Sequence, residues 1–204
     1  SGASSFNVLW LQSGGCGGCS MSVLNAESPD LYASLRHAGI ELLWHPSLSE
    51  QSLDEFVVLL DAIEAGEQPL DALCLEGSVM MGPKNTGNYH KLAGTGRPMK
   101  DWLLALSEKA RYTVAVGTCA TYGGMTATGD NPGDACGLQY RGSQPGGLLD
   151  EHWQSPGGLP VINIAGCPTH PNWVLETLAQ LAMADLHTDD LYELARPRSY
   201  ADHL

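Results

Sequence analysis

The chain has 204 residues, 43% of them hydrophobic, which is enough to bury one full core with at most a short appendage. Lys and Arg total 10 against 23 Asp and Glu, and the formal charge of -13 repels phosphate backbones and anionic lipid surfaces, so no nucleic-acid partner is expected. No apolar stretch approaches the roughly 20 residues of a bilayer span, and the sequence opens without a basic region or an apolar signal core, so a cytoplasmic protein without membrane insertion is expected, whose six cysteines suit metal or redox chemistry better than a disulfide framework.

Phe6 to Gln12 is predicted as a short buried strand, followed by a Gly/Cys loop and a helix from about Ser22 to His37, bent near Pro29 and stopped by Gly39. Ile40 to Trp44 reads as a second strand. Ser52 to Ala65 has helical apolar spacing with Gly66 as its C-terminal cap. Ala72 to Leu75 is a third strand running into Glu76-Gly77-Ser78, and the loop Gly82 to Gly96 carries His90 ahead of a helix from Met99 to Ala110. Tyr112 to Val116 is a fourth strand leading into Gly117-Thr118-Cys119. The stretch Gly123 to Gly158 is irregular and too long for an ordinary connection, which marks it for contact with another subunit. A fifth strand, Pro160 to Ala165, ends in Gly166-Cys167-Pro168, and Asn172 to Ala184 is the last helix. Short apolar strands alternating with helices, with almost no strict two-residue alternation, specify an α/β fold with a parallel sheet covered on both faces. Residues 1–184 form the domain and 185–204 a C-terminal tail.

Cys16 and Cys19 follow the first strand across a Gly-Gly turn, Cys119 follows the fourth strand and Cys167 the fifth. All four thiols therefore fall at the carboxyl end of one sheet, where open parallel sheets bind ligands. Four cysteine thiolates are the usual ligand set of an iron-sulfur cluster. A zinc site, a thioredoxin-like dithiol at a helix N-terminus and plain buried cysteines remain as alternatives. Glycines beside every thiol suit a cluster whose sulfides take backbone N–H bonds at close approach.

In order and spacing, Asn7-Val8-Leu9-Trp10-Leu11-Gln12-Ser13-Gly14-Gly15-Cys16-Gly17-Gly18-Cys19-Ser20, then Glu76-Gly77-Ser78, Gly117-Thr118-Cys119-Ala120-Thr121-Tyr122-Gly123-Gly124 and Gly166-Cys167-Pro168 resemble the small subunit of nickel-iron hydrogenases over nearly the whole chain. Its cytoplasmic hydrogen-sensing and related uptake types are the nearest in pattern. The resemblance implies a flavodoxin-like domain in which Cys16, Cys19, Cys119 and Cys167 hold one proximal 4Fe-4S cluster. It further implies a nickel-iron centre in a separate large subunit, and a histidine kinase or another electron acceptor as a further partner. Some relatives carry two more cysteines beside the cluster; Gly18 and Gly124 stand at the matching positions, so an ordinary four-cysteine cluster is expected. The chain departs from the pattern at Met21, where many relatives have an acidic residue, and at its end, Tyr200-Ala201-Asp202-His203-Leu204, which matches the stretch ahead of a region binding two further clusters. His203 has no following cysteines to act with, and truncation ahead of that region is the expectation. The paired adjacent cysteines of the related complex I subunit are absent.

Glu76, Thr118 and His170 are candidates for contacts around the cluster. Cys74, inside an apolar strand, reads as a core residue, whereas Cys136 in the long loop has no assignment beyond partner contact. His45 and His90 read as surface or interface residues. The glycines near Thr86 and Thr95 lack the pattern of a phosphate cradle. A zinc-stabilised or dithiol-based interaction module without hydrogenase chemistry is the alternative function.

Overall fold

A computed structural model describes residues 5–201. His203 lies outside the described residues. Five parallel strands form the central sheet: β1 (Phe6–Gln12), β2 (Ile40–Trp44), β3 (Ala72–Glu76), β5 (Tyr112–Val116) and β9 (Ile162–Ile164), in the spatial order β2-β1-β3-β5-β9. That is the flavodoxin-like order, and it reverses direction of travel between β1 and β3. The expected α/β architecture is present.

The strands are apolar on both sides because both sides are covered. Val8, Trp10, Cys74, Val114 and Ile164 face one helical layer, α1 (Gly18–Leu24), α2 (Leu31–His37) and α6 (Pro171–Ala182). Their neighbours Leu9, Leu11, Leu73, Leu75 and Ala115 face the other, where α3 (Leu53–Ala65) and α4 (Met99–Ser107) supply Leu60, Ile63, Leu103 and Leu106, all fully buried. Each such side chain contributes about 1.5–3 kcal/mol by leaving water.

Local sequence sets the helix ends. Ser52 caps α3 in a reciprocal capping box with Glu55, and Gly66 closes it in the left-handed conformation. Pro171 opens α6 at the position where its missing N–H costs nothing. The single bent helix expected from Ser22 to His37 is two helices: α1 ends at Leu24 with Asn25 as its C-cap, and α2 starts afresh where the Asp30 side chain accepts from Ala33 N at 2.8 Å. The helix predicted to run to Ala110 stops at Ser107.

The stretch expected to be irregular from Gly123 to Gly158 holds short antiparallel pairs. β4 (Val79–Met80) pairs with β6 (Ala135–Cys136), and β7 (Tyr140–Arg141) with β8 (Gln144–Pro145). Beyond α6, β10 (Leu191–Tyr192) and β11 (Arg196–Pro197) form a hairpin beside the outer edge of β9, tied by Asn163 Nδ2 donating to Leu194 O at 2.8 Å. Among the described residues no helix is long and apolar enough to cross a membrane.

Candidate metal centre

The sheet register brings the thiols together. Gln12 pairs with Glu76, Glu76 with Val116 and Val116 with Ile164, so four neighbouring strands end in one row. Cys119 and Cys167 each lie three residues past that row, on adjacent strands. The chain leaves β5 directly into the short helix α5 (Gly117–Tyr122), which places Cys119 on a first helical turn where a loop was expected. Likewise α1 begins at Gly18, before the predicted start, and carries Cys19.

Cys16, Cys19, Cys119 and Cys167 line one cleft together with Glu76, Thr118 and the glycines of the three strand-end loops. Cys16 and Cys167 are exposed, Cys19 and Cys119 half-buried. Burial, and then the negative charge of Glu76 and the neighbouring thiols, pushes Cys19 up to about 11 against the partial relief of a backbone N–H from Thr169. Cys119 is raised by burial for the same reason, with the Met125 N–H directed at its sulfur. Gly18 N donates to Cys16 Sγ at 3.4 Å. The backbone thus supplies N–H groups to sulfur, while among the described residues no side-chain cation bonds the thiols of the cleft.

Two glycines keep this space open. A Cβ on Gly117, which has φ of 85°, would collide with Cys19 Sγ. At Gly124 it would lie 2.6 Å from Cys119 Sγ and 2.8 Å from its Cα, so a side chain there has no room in this backbone. Thr118 ties two ligand loops together: its N–H donates to Gly166 O at 2.9 Å and its Oγ1 accepts from Gly166 N at 3.2 Å. Among the described residues no three His, Cys, Asp or Glu side chains converge closely enough to grip a single ion.

Beneath the cleft, Glu76 is buried and accepts from Ser20 N at 3.0 Å, from Ser20 Oγ and from Trp10 Nε1 at 3.3 Å. His45 is the residue that sequence reasoning missed. It was expected at the surface, yet it is 3% exposed, with Nε2 3.2 Å from Ser20 Oγ. Its only sequence signal is its place at the end of a strand adjacent to β1, at the same sheet edge as the thiols. His90 is half-buried and bonds Ser13 Oγ at 3.2 Å. His170 does not join the cleft wall; it is exposed, caps α6 by accepting from Asn172 N at 3.2 Å, and lies against Trp173. Cys74 is fully buried in β3 as expected. Cys136 is equally buried in β6 opposite Val79, so it is a core residue and its exposure to a partner is ruled out by packing.

The family model for the NADH ubiquinone oxidoreductase 20 Kd subunit matches residues 16–181. The chain is 31% identical to the F420 non-reducing hydrogenase I small subunit of Methanosarcina mazei, over 95% of this chain and 54% of that protein. It resembles the actinobacterial-type NiFe-hydrogenase from Ralstonia eutropha H16 with a TM-score of 0.79 and 31% identity, covering 96% of this chain and 59% of that one. With the [NiFeSe]-hydrogenase of Dm. baculatum the TM-score is 0.76 at 28% identity, covering 96% and 70%. The chain spans about half the length of the curated hydrogenase subunits it matches first.

Proposed function

The chain belongs to the NADH ubiquinone oxidoreductase 20 Kd subunit family, and we propose that it acts as the electron-transfer small subunit of a nickel-iron hydrogenase, with Cys16, Cys19, Cys119 and Cys167 holding one proximal 4Fe-4S cluster. The observation that carries this reading is the ring of four thiols, gathered from three strand-end loops around a single cleft. The likeness to hydrogenase small subunits over nearly all of the chain supports the choice of reaction.

When bound, the cluster supplies a one-electron store between the large subunit's nickel-iron centre, where H2 gives two protons and two electrons, and an acceptor. The chain's own residues do the rest. The four cysteines would hold the cluster as thiolates, with iron rather than Lys or Arg compensating their charge. The N–H groups of Gly18, Thr169 and Met125 point at sulfur and favour the more reduced, more negative state. Glu76 opposes them. Buried Val116 lies on the inner side of the cleft, whereas Cys16 and Cys167 leave its outer side open. A relay open on that side calls for a covering partner, which is the place we assign to the large subunit.

The alternatives fit less well. Glycines crowd every thiol of the cleft and backbone N–H groups point at sulfur, which suits the bridging sulfides of a cluster and is not needed by a single zinc. Dithiol exchange needs only two thiols, and four from three separate strand ends line this cleft. Metal and sulfide analysis of the chain with whatever subunit it brings down tests the proposal. About four iron and four sulfide on this chain, with nickel in a larger partner, are expected; zinc without sulfide overturns it. The proposal includes a hydrogen-sensing role: recovery of a histidine kinase with the complex supports it, and fast reduction of an electron acceptor by the complex replaces it with uptake.

A further inference from the structure

The cleft's floor contains a buried carboxylate with no cation to pair with it. Among the described residues no Lys or Arg forms an ion pair with Glu76, which is 3% exposed. Burying an unpaired charge is costly unless several hydrogen bonds replace its hydration. Three donors do so, the Ser20 N–H, the Ser20 hydroxyl and the Trp10 indole N–H. Two of them come from the residue directly after Cys19.

Which way the Ser20 hydroxyl points is decided elsewhere. Ser47 N donates to His45 Nδ1 at 3.1 Å, so that nitrogen must be the acceptor and the ring proton sits on Nε2. Nε2–H then donates to Ser20 Oγ at 3.2 Å. A hydroxyl that already accepts from this side has its own proton free for the carboxylate, and it donates to Glu76 Oε2. A doubly protonated ring would set Nδ1–H against the Ser47 N–H, and burial also holds His45 toward the neutral form. The ring itself is fixed by Trp10, with centroids 5.1 Å apart, and by a tight turn in which Leu48 N and Ser49 N donate to His45 O while His45 N donates to Ser49 Oγ.

Resting on the cluster reading above, we propose that His45 is a positioning residue: through the Ser20 hydroxyl it holds the Glu76 carboxylate in one place on the cleft wall, where its charge sets how readily the cluster takes an electron. Among the described residues, the hydrogen bond from the His45 side chain toward the thiol-bearing segments goes to Ser20. It acts from β2, the edge strand on the far side of β1 from the Cys119 and Cys167 loops. A fixed negative charge beside a cluster disfavours the added electron. Loosening or removing that charge makes reduction easier.

The test uses the whole complex with its cluster loaded and reads the cluster's midpoint potential by spectroscopic redox titration. Glu76→Gln keeps the shape and removes the charge; the reduced-to-oxidised ratio at fixed potential is expected to rise about tenfold, which is about 59 mV for one electron. His45→Phe keeps a ring beside Trp10 without either nitrogen, and roughly a threefold rise is expected, with the same from Ser20→Ala. Because both cut one chain, the double variant is expected to go no further than the larger single one. His45→Gln, whose amide N–H reaches for Ser20, is expected to restore most of the original midpoint. A wild-type midpoint in His45→Phe at full iron and sulfide, or additive shifts in the double variant, overturns the proposal and leaves the cluster reading standing. Should His45→Phe fail to accumulate, an unchanged midpoint in Ser20→Ala overturns it instead. Iron and sulfide missing from the unmodified complex overturn the cluster reading itself.

Discussion

The thiol cleft and the long segment from Gly123 to Gly158 are both built from glycine-rich, mostly irregular backbone, yet one closes on itself and the other does not. In the long segment Gln139 alone makes a staple: its Nε2 donates to Asp150 O at 3.0 Å and Trp153 O at 2.9 Å, while its Oε1 accepts from Val161 N at 2.9 Å. Asn131 holds both ends of Ala135, and Arg141 pairs with Asp134 at 2.7 Å. The cleft leaves four sulfurs facing a common space with only scattered N–H partners. Irregular chain that satisfies its own polar groups is scaffold. Irregular chain that holds reactive groups apart, and keeps side chains such as a Cβ at Gly117 out of the gap, is shaped for something else.

The contrast can be broken hardest at the cleft. Cys119→Ala is expected to abolish stable iron and sulfide binding while leaving the far-ultraviolet circular dichroism spectrum close to that of the unmodified chain, which metal analysis and spectroscopy on the same sample would check. Gln139→Ala should do the reverse. Losing the staple leaves buried carbonyls and an N–H without partners, at about 3 kcal/mol of stability, read from a urea unfolding midpoint, with iron per folded chain unchanged. A smaller effect sharpens the comparison through pH. Burial raises Cys19 and Cys136 to about 11 and Cys74 to about 12 from an ordinary 9.0. The unfolded chain therefore releases these protons first as pH rises. Stability of the metal-free chain is expected to be complete below about pH 9 and to fall between about 9 and 12, measured as urea midpoints at pH 8 and 10.5. Cluster loading should remove the part of this slope that belongs to Cys19, because a bound thiolate no longer titrates there, and leave the part due to Cys74 and Cys136.

Much of this was legible in the sequence. Runs such as Val8-Leu9-Trp10-Leu11, apolar at every position, announce a strand covered on both faces, and their spacing put four thiols at one edge. The helices carrying Cys19 and Cys119 were hidden because Gly17-Gly18 and Gly117-Thr118 carry low helix propensity, and strand-to-helix continuity supplies what propensity lacks. The break at residues 25–30 was read as a bend, since a proline tells that a helix is disturbed and not that a new cap follows it. His45 and Cys136 were misplaced for a common reason. Each sits among turn-forming residues, and only the pairing of distant segments, β2 beside β1 and β6 beside β4, buries them.

The flush row of strand ends also has a bearing on the order of events during biogenesis. Cys16 and Cys19 emerge early in synthesis, but Cys167 reaches them only when β9, the last strand of the sheet, docks against β5, with Ile162 pairing to Val114 across the long intervening segment. Such distant parallel pairings form late. On the cluster reading, metal loading at this edge would double as an inspection step, because all four thiols come together only on a chain whose final strand has found its place.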